Sequence, residues 1–141
     1  MGVMVLVKAT KDSETGILPT TEMFEAMGKY NEELVNAGIM QTGDGLKPSS
    51  QGKRVAFDGK NRTVKDGPFG NPNELVAGFW IWQVKDMDEA VAWAKRSPNL
   101  GPGRSEVELR PFLEAADLAE FMTPEELSAP REGERGKLGV A

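Results

Sequence analysis

Five side chains stand where they could do chemistry: Asp66, Glu74, Lys8, Tyr30 and Asp44. Asp66 opens the turn Asp66-Gly67-Pro68-Phe69. At a cleft mouth its carboxylate could accept a proton or bind a ligand hydroxyl. An Asp before Gly-Pro is equally a turn former that bonds the backbone N–H groups after it. Glu74 begins the next apolar run, and its spacing predicts a place beside Asp66. Two carboxylates that share a small site cannot both ionise easily, and such a pair supplies a neutral acid. Lys8 closes an apolar strand and could bind an anion or simply reach solvent. Tyr30 is the only tyrosine. Its hydroxyl could face a pocket or make one buried hydrogen bond. Asp44 lies between Gly43 and Gly45, where close backbone could cradle an anion or make a plain turn. Trp80 and Trp82 could stack on an aromatic ligand or pack an interface.

Composition excludes several mechanisms. The 141 residues contain no cysteine and no histidine. Thiol nucleophiles, disulfides, imidazole zinc sites and a Ser-His-Asp triad are therefore ruled out. Proton transfer near neutral pH falls to Asp, Glu, Lys or Tyr. An oxygen-ligand cation could use Asp44, Asp66 and Glu74, but no ligand spacing defines it. The expectation is no metal and no cofactor. The formal net charge is −5 and no basic stripe interrupts it, which speaks against a nucleic-acid partner. The apolar start, Met1 to Val7, is too short for a signal peptide or a membrane span. The expectation is a cytoplasmic protein without membrane contact.

The elements that must position these residues follow from periodicity. Residues 2–8 alternate as a first strand, and residues 9–19 read as a polar loop. Thr20 or Thr21 caps a helix on which Met23, Met27, Tyr30, Leu34 and Ala37 recur at helical spacing, widened by Phe24 and Val35. Gly38 ends it. Ile39 to Thr42 predict a short strand, and Gly43 to Ser50 a loop. Asp58-Gly59-Lys60 between two β-prone runs predicts a hairpin. Asp86 and Glu89 cap a second helix carrying Met87, Ala90, Val91 and Ala94. Residues 106–110 alternate as a last strand. The order is β-α-β…β-α-β, which predicts a ferredoxin-like α+β fold: one antiparallel sheet with two helices on one face. Residues 1–112 read as this domain and residues 113–141 as a C-terminal extension, helical from Thr123 and frayed beyond Pro130.

One strand is apolar on both faces. Leu75, Ala77, Phe79 and Ile81 share one, while Val76, Trp80, Trp82 and Val84 share the other. Met4 and Leu6 repeat this excess opposite Val3, Val5 and Val7. A sheet with helices on one side needs only one apolar face. Leaving large side chains in water forgoes roughly 2–3 kcal/mol each, and contiguous apolar patches mark interfaces. The expected partner is a second copy of the chain, laid against the open sheet face as a homodimer; the alternative cover is the C-terminal extension.

Several blocks carry a family resemblance. Asp66-Gly67-Pro68-Phe69 with Glu74-Leu75 and Gly78-Phe79-Trp80 is similar to the signature of the YCII-related, or DGPF-domain, proteins. Val5 to Lys8, Ala37-Gly38 through Gly43-Asp44-Gly45-Leu46, Asp88-Glu89-Ala90 and Glu106 to Pro111 agree in order. The resemblance covers roughly residues 1–112 and implies a dimeric α+β barrel of two ferredoxin-like subunits packed sheet to sheet. It also implies relatives that act on small molecules, among them a dehydrochlorinase of chlorinated aromatic degradation. The His–Asp pair proposed as the active site of YCII relatives has no counterpart here, and Asn71-Pro72-Asn73 replaces the family's usual charged residues after the turn. Two functions follow as expectations. One is a cofactor-free lyase- or isomerase-type enzyme on a small molecule, with Asp66 as acid or base. The other is a non-catalytic small-molecule-binding or regulatory homodimer. A purely structural partner protein would lack an enclosed pocket.

Overall fold

The computed structural model describes residues 1–99, 101–119, 123 and 125. The chain forms two compact units, Met1–Arg110 and Pro111–Ala141. The first carries the fold. Strand β1 spans Gly2–Lys8, helix α1 Lys11–Glu14, α2 Thr21–Asn36, β2 Met40–Gly45, β3 Lys53–Asp58, β4 Asn61–Asp66, β5 Val76–Gln83, α3 Met87–Ala94 and β6 Val107–Pro111. In the second unit, a 3-10 turn at Ala115–Leu118 is capped by Asp117, whose carboxylate accepts the Glu114 N–H. The expected helix from Thr123 and the tail beyond Pro130 lie outside the described residues, apart from Thr123 and Glu125.

The main sheet has the order β2-β5-β1-β6. Helix α2 joins β1 to β2 across β5, and α3 joins β5 to β6 across β1. These two interlocked crossovers are the ferredoxin-like α+β arrangement. Both pairs made by β5 are antiparallel, with Val3 opposite Trp82 and Val5 opposite Trp80. Val3, Val5, Trp80 and Trp82 therefore share the face that packs on Tyr30, Leu34 and Ala90 of the helices. Trp82, Leu34, Val3 and Val5 are completely buried, each worth about 1.5–3 kcal/mol against exposure. Thr20 caps α2 by accepting the Met23 N–H at 3.2 Å, and Gly38 leaves it at φ +73°, a conformation glycine adopts freely.

Four expectations need correction. The two indoles belong to the core between sheet and helices, not to the surplus face. That face carries Met4, Leu6, Phe79 and Ile81, where Met4 meets Ile81 and Leu6 meets Phe79 across the strands. Phe24 and Val35 point to solvent, because the apolar stripe of α2 is narrower than its composition suggests. Gly43 to Gly45 are strand rather than loop, paired with Trp80, Phe79 and Gly78. The reason is a close approach: a Cβ on Gly43 would lie 2.6 Å from the Trp80 ring, so only glycine lets β2 close over the indole. The expected polar loop after β1 also contains α1, nucleated by reciprocal hydrogen bonds between Thr10 and Ser13.

Candidate functional site

The Asp66 turn is a structural junction. Asp66 pairs with Lys53 at the open end of the β3–β4 hairpin, and both side chains are mostly in water. An exposed ion pair of this kind contributes little, at most about 1 kcal/mol. The Gly67 N–H donates to the Gly52 carbonyl at 3.0 Å, and the Gly67–Pro68 bond is cis. A Cβ on Gly67 would sit 1.8 Å from the Ser49 carbonyl oxygen, so the turn presses its backbone directly on the Ser49 turn. Phe69 is buried with Ala9 and Leu75 in a second small core, and the Arg54 guanidinium lies 4.2 Å from its ring centre. Ser49 ties the junction together. Its hydroxyl accepts the Phe69 N–H at 3.1 Å and donates to Glu14, whose other oxygen accepts the Ser49 N–H at 3.0 Å.

The remaining candidates separate. Glu74 sits on a 3-10 turn, Pro72–Glu74, and is exposed. Asp44 is an exposed residue of β2 opposite Phe79. Tyr30 is buried in the main core; its hydroxyl donates to the Trp93 carbonyl at 2.6 Å and its ring meets Trp80 edge to face. Burial pushes the Tyr30 phenol up to about 12, with Arg96 acting in the opposite sense and Glu33 adding to the rise. The structure does not gather Asp66, Glu74, Asp44 and Tyr30 around one cavity. The cleft position expected for Asp66 is not found within this chain, because the hairpin carries its carboxylate into solvent.

Lys8 does border a cavity. It has a volume of about 150 Å³ and lies where β1, β5 and β6 meet the start of α1. Val7, Ala77, Trp80 and Val107 form its sheet wall, and Met27 of α2 adds to it. The segment Ile17-Leu18-Pro19 covers one side, and Ser97, Pro98, Gly101 and Ser105 the other. Lys8, Asp12 and Glu106 bring charge, and Thr10 and Ser13 bring the α1 cap. Neighbours on a regular strand point to opposite faces, yet Val7 and Lys8 both border this cavity. The β1–β5 register shifts between them, and such irregularities re-aim side chains. Trp80 is held by its Nε1–H, which donates to Asn31 at 2.9 Å. Glu106 accepts from Arg104 at 3.1 Å. Among the described residues, Lys8 and Asp12 have no ion-pair partner.

A volume near 150 Å³ is the size that accommodates one benzene ring. With an indole wall, an ammonium and a carboxylate, the cavity suits a single-ring molecule with polar substituents. Sequence reasoning missed Thr10, Asp12, Ser13, Ser105 and Glu106. The Thr10-to-Ser13 spacing was a legible cap signal; the α3–β6 connection offers no comparable pattern. Among the described residues there is no grouping of acidic side chains that would hold a metal ion, and no helix long and apolar enough to cross a membrane.

The family model of the YCII-related domain matches residues 1–113. The chain belongs to the YCII-related family. An uncharacterised protein of Rhizobium meliloti (strain 1021) is 29% identical over 86 residues, which is 61% of this chain and 69% of the relative. A solved structure, 5-chloro-2-hydroxyhydroquinone dehydrochlorinase from Burkholderia phenoliruptrix AC1100 in complex with 2,5-dihydroxybenzoquinone, is similar with a TM-score of 0.46 at 16% identity, over 81% of this chain and 95% of that one.

Proposed function

We propose that this protein is a cytoplasmic homodimer that binds a small molecule in the cavity bordered by Lys8 and Trp80. Residues 1–112 are the functional domain in this reading and residues 113–141 an appendage. The observation that carries it is a one-ring cavity with an aromatic wall and, among the described residues, an ammonium without an ion-pair partner. The ligand class is a hydroxylated or carboxylated ring: its anionic end on Lys8, its face against Trp80, and a hydroxyl within reach of Asp12. The half-buried open face of Met4, Leu6, Phe79 and Ile81 supports the homodimer, since a second copy would cover it.

An acid–base enzyme using Asp66 and Glu74 is the alternative. Both carboxylates lie in water within one protomer, so this chemistry would need a partner subunit to close a site around them. A thermal-shift and calorimetric screen of single-ring carboxylates and phenols tests the binding reading. Lys8→Met is expected to weaken a bound ligand at least about tenfold, or 1.4 kcal/mol, while Lys29→Met, outside the cavity, leaves it unchanged. Equal binding by Lys8→Met, or no ligand of this class at about 1 mM, overturns it.

A further inference from the structure

The β3–β4 hairpin leaves an apolar face in water. Cross-strand partners share a face and successive residues alternate. One face therefore holds Val55, Phe57 and Val64 with Lys53, Arg62 and Asp66; the other holds Arg54, Ala56, Asp58, Asn61, Thr63 and Lys65. On the polar face Arg54 lies over the buried Phe69 ring, yet every residue of both strands is exposed. The apolar face is in water: Phe57 is 72% exposed, Val64 61% and Val55 49%. The Arg62 guanidinium lies 4.7 Å from the Phe57 ring centre. A two-stranded hairpin is marginal by itself in water, and contiguous exposed apolar side chains mark an interaction surface.

Charge indicates what covers it. Residues 53–66 contain five Lys and Arg against two Asp, a net of +3. The whole chain has 17 basic and 22 acidic residues, so the remainder has 12 against 20, a net of −8. The open sheet face also has a matching chemistry. Its centre is Met4, Leu6, Phe79 and Ile81, and Asp44 pairs beside Phe79. Val107 and Leu109 pack on the core, so alternation puts Glu108 and Arg110 on the open side of β6, where they pair with each other at 3.2 Å. The arm as a whole is basic and the rest of the chain acidic. Asp44, which takes part in none of the ion pairs among the described residues, gives the open sheet face an acidic edge beside Phe79.

We propose that the Val55, Phe57 and Val64 face of the hairpin docks on a second copy of this chain, as a basic arm reaching the apolar sheet face of the partner beside Asp44. This rests on the homodimer reading above and adds a distinct element to it. The attraction between a basic arm and an acidic body steers the encounter, and the three apolar side chains supply the contact.

Two measurements on the full chain test this. Sedimentation equilibrium compares wild type with Phe57→Glu and with Lys60→Glu, which keeps the apolar face but lowers the arm's charge. Phe57→Glu is expected to weaken self-association at least about tenfold with an unchanged circular dichroism spectrum. Lys60→Glu is expected to weaken it less, with an effect that fades in high salt. Because the chain lacks cysteine, a photo-cross-linking residue at position 57 gives an independent readout, with a covalent dimer expected. A wild type that is monomeric at all concentrations overturns the homodimer reading and this proposal together. A dimeric wild type whose Phe57→Glu variant associates equally well, or whose position 57 cross-links within its own chain, overturns the arm and leaves the dimer standing. Arm-dependent binding of a random oligonucleotide by a chain that does not cross-link to itself also overturns it.

Discussion

Gly67→Ala separates a structural from a chemical role for the Asp66 turn. The new methyl would lie 1.8 Å from the Ser49 carbonyl oxygen, against about 3.3 Å for an unstrained carbon–oxygen approach. One backbone must therefore retreat by about 1.5 Å. Neither partner is a flexible side-chain tip that could swing aside. Overpacking of this kind costs about 1–3 kcal/mol. The retreat also breaks the Gly67-to-Gly52 hydrogen bond and the Phe69-to-Ser49 bond, at about 1 kcal/mol each. The expected loss is about 3–5 kcal/mol. At about 2.1 cal/mol/K per residue, the 110 residues of the first unit unfold with an entropy of about 0.23 kcal/mol/K. The melting temperature should then fall by about 13–22 °C, read by thermal circular dichroism. Two controls accompany it. Gly103→Ala meets open space and should leave the melting temperature unchanged. Asp66→Asn removes only an exposed ion pair and should cost under about 1 kcal/mol. A Gly67→Ala protein melting within about 3 °C of wild type refutes the junction reasoning. Loss of ligand binding in a fully stable Asp66→Asn variant would return the turn to a chemical role.

Ser49→Ala removes the acceptor of the Phe69 N–H and the donor to Glu14; an unmet buried amide costs about 1–3 kcal/mol, which thermal melts should show as a smaller loss than that of Gly67→Ala. Tyr30 gives a pH dependence. Its folded phenol titrates at about 12 against about 10 unfolded. The contribution is complete below pH 10 and disappears as pH rises towards 12, an effect on the order of 2–3 kcal/mol. Tyr30→Phe, which also loses the bond to Trp93, should flatten that decline in urea titrations between pH 9 and 11; an equal decline in both proteins contradicts the assignment.

Much of the protein is legible in one dimension. The helical stripe around Tyr30 and Leu34, the Asp-Gly hairpin turn and the Asp86–Glu89 cap are local patterns, and each sets an element where it is observed. The β-α-β repetition then leaves few ways to order the sheet, because crossovers that bury one helix face each must lie on one side. The excess of apolar side chains on β1 and β5 was equally plain from their alternation.

Which excess faces where was decided only by tertiary packing. Alternation defines two faces of β5 without saying which meets the helices, and the indoles went inward because β1 places Val3 and Val5 beside them. The candidate site shows the same division. Asp66 and Glu74 are near in sequence, yet one ends a hairpin arm and the other a 3-10 turn, both in water. The cavity instead brings the Lys8–Asp12 stretch together with Trp80 and Glu106 from distant parts of the chain. Spacing reports neighbours within an element, whereas a cavity is made by elements that meet, through a register shift at Val7–Lys8 and close packing that no local pattern encodes.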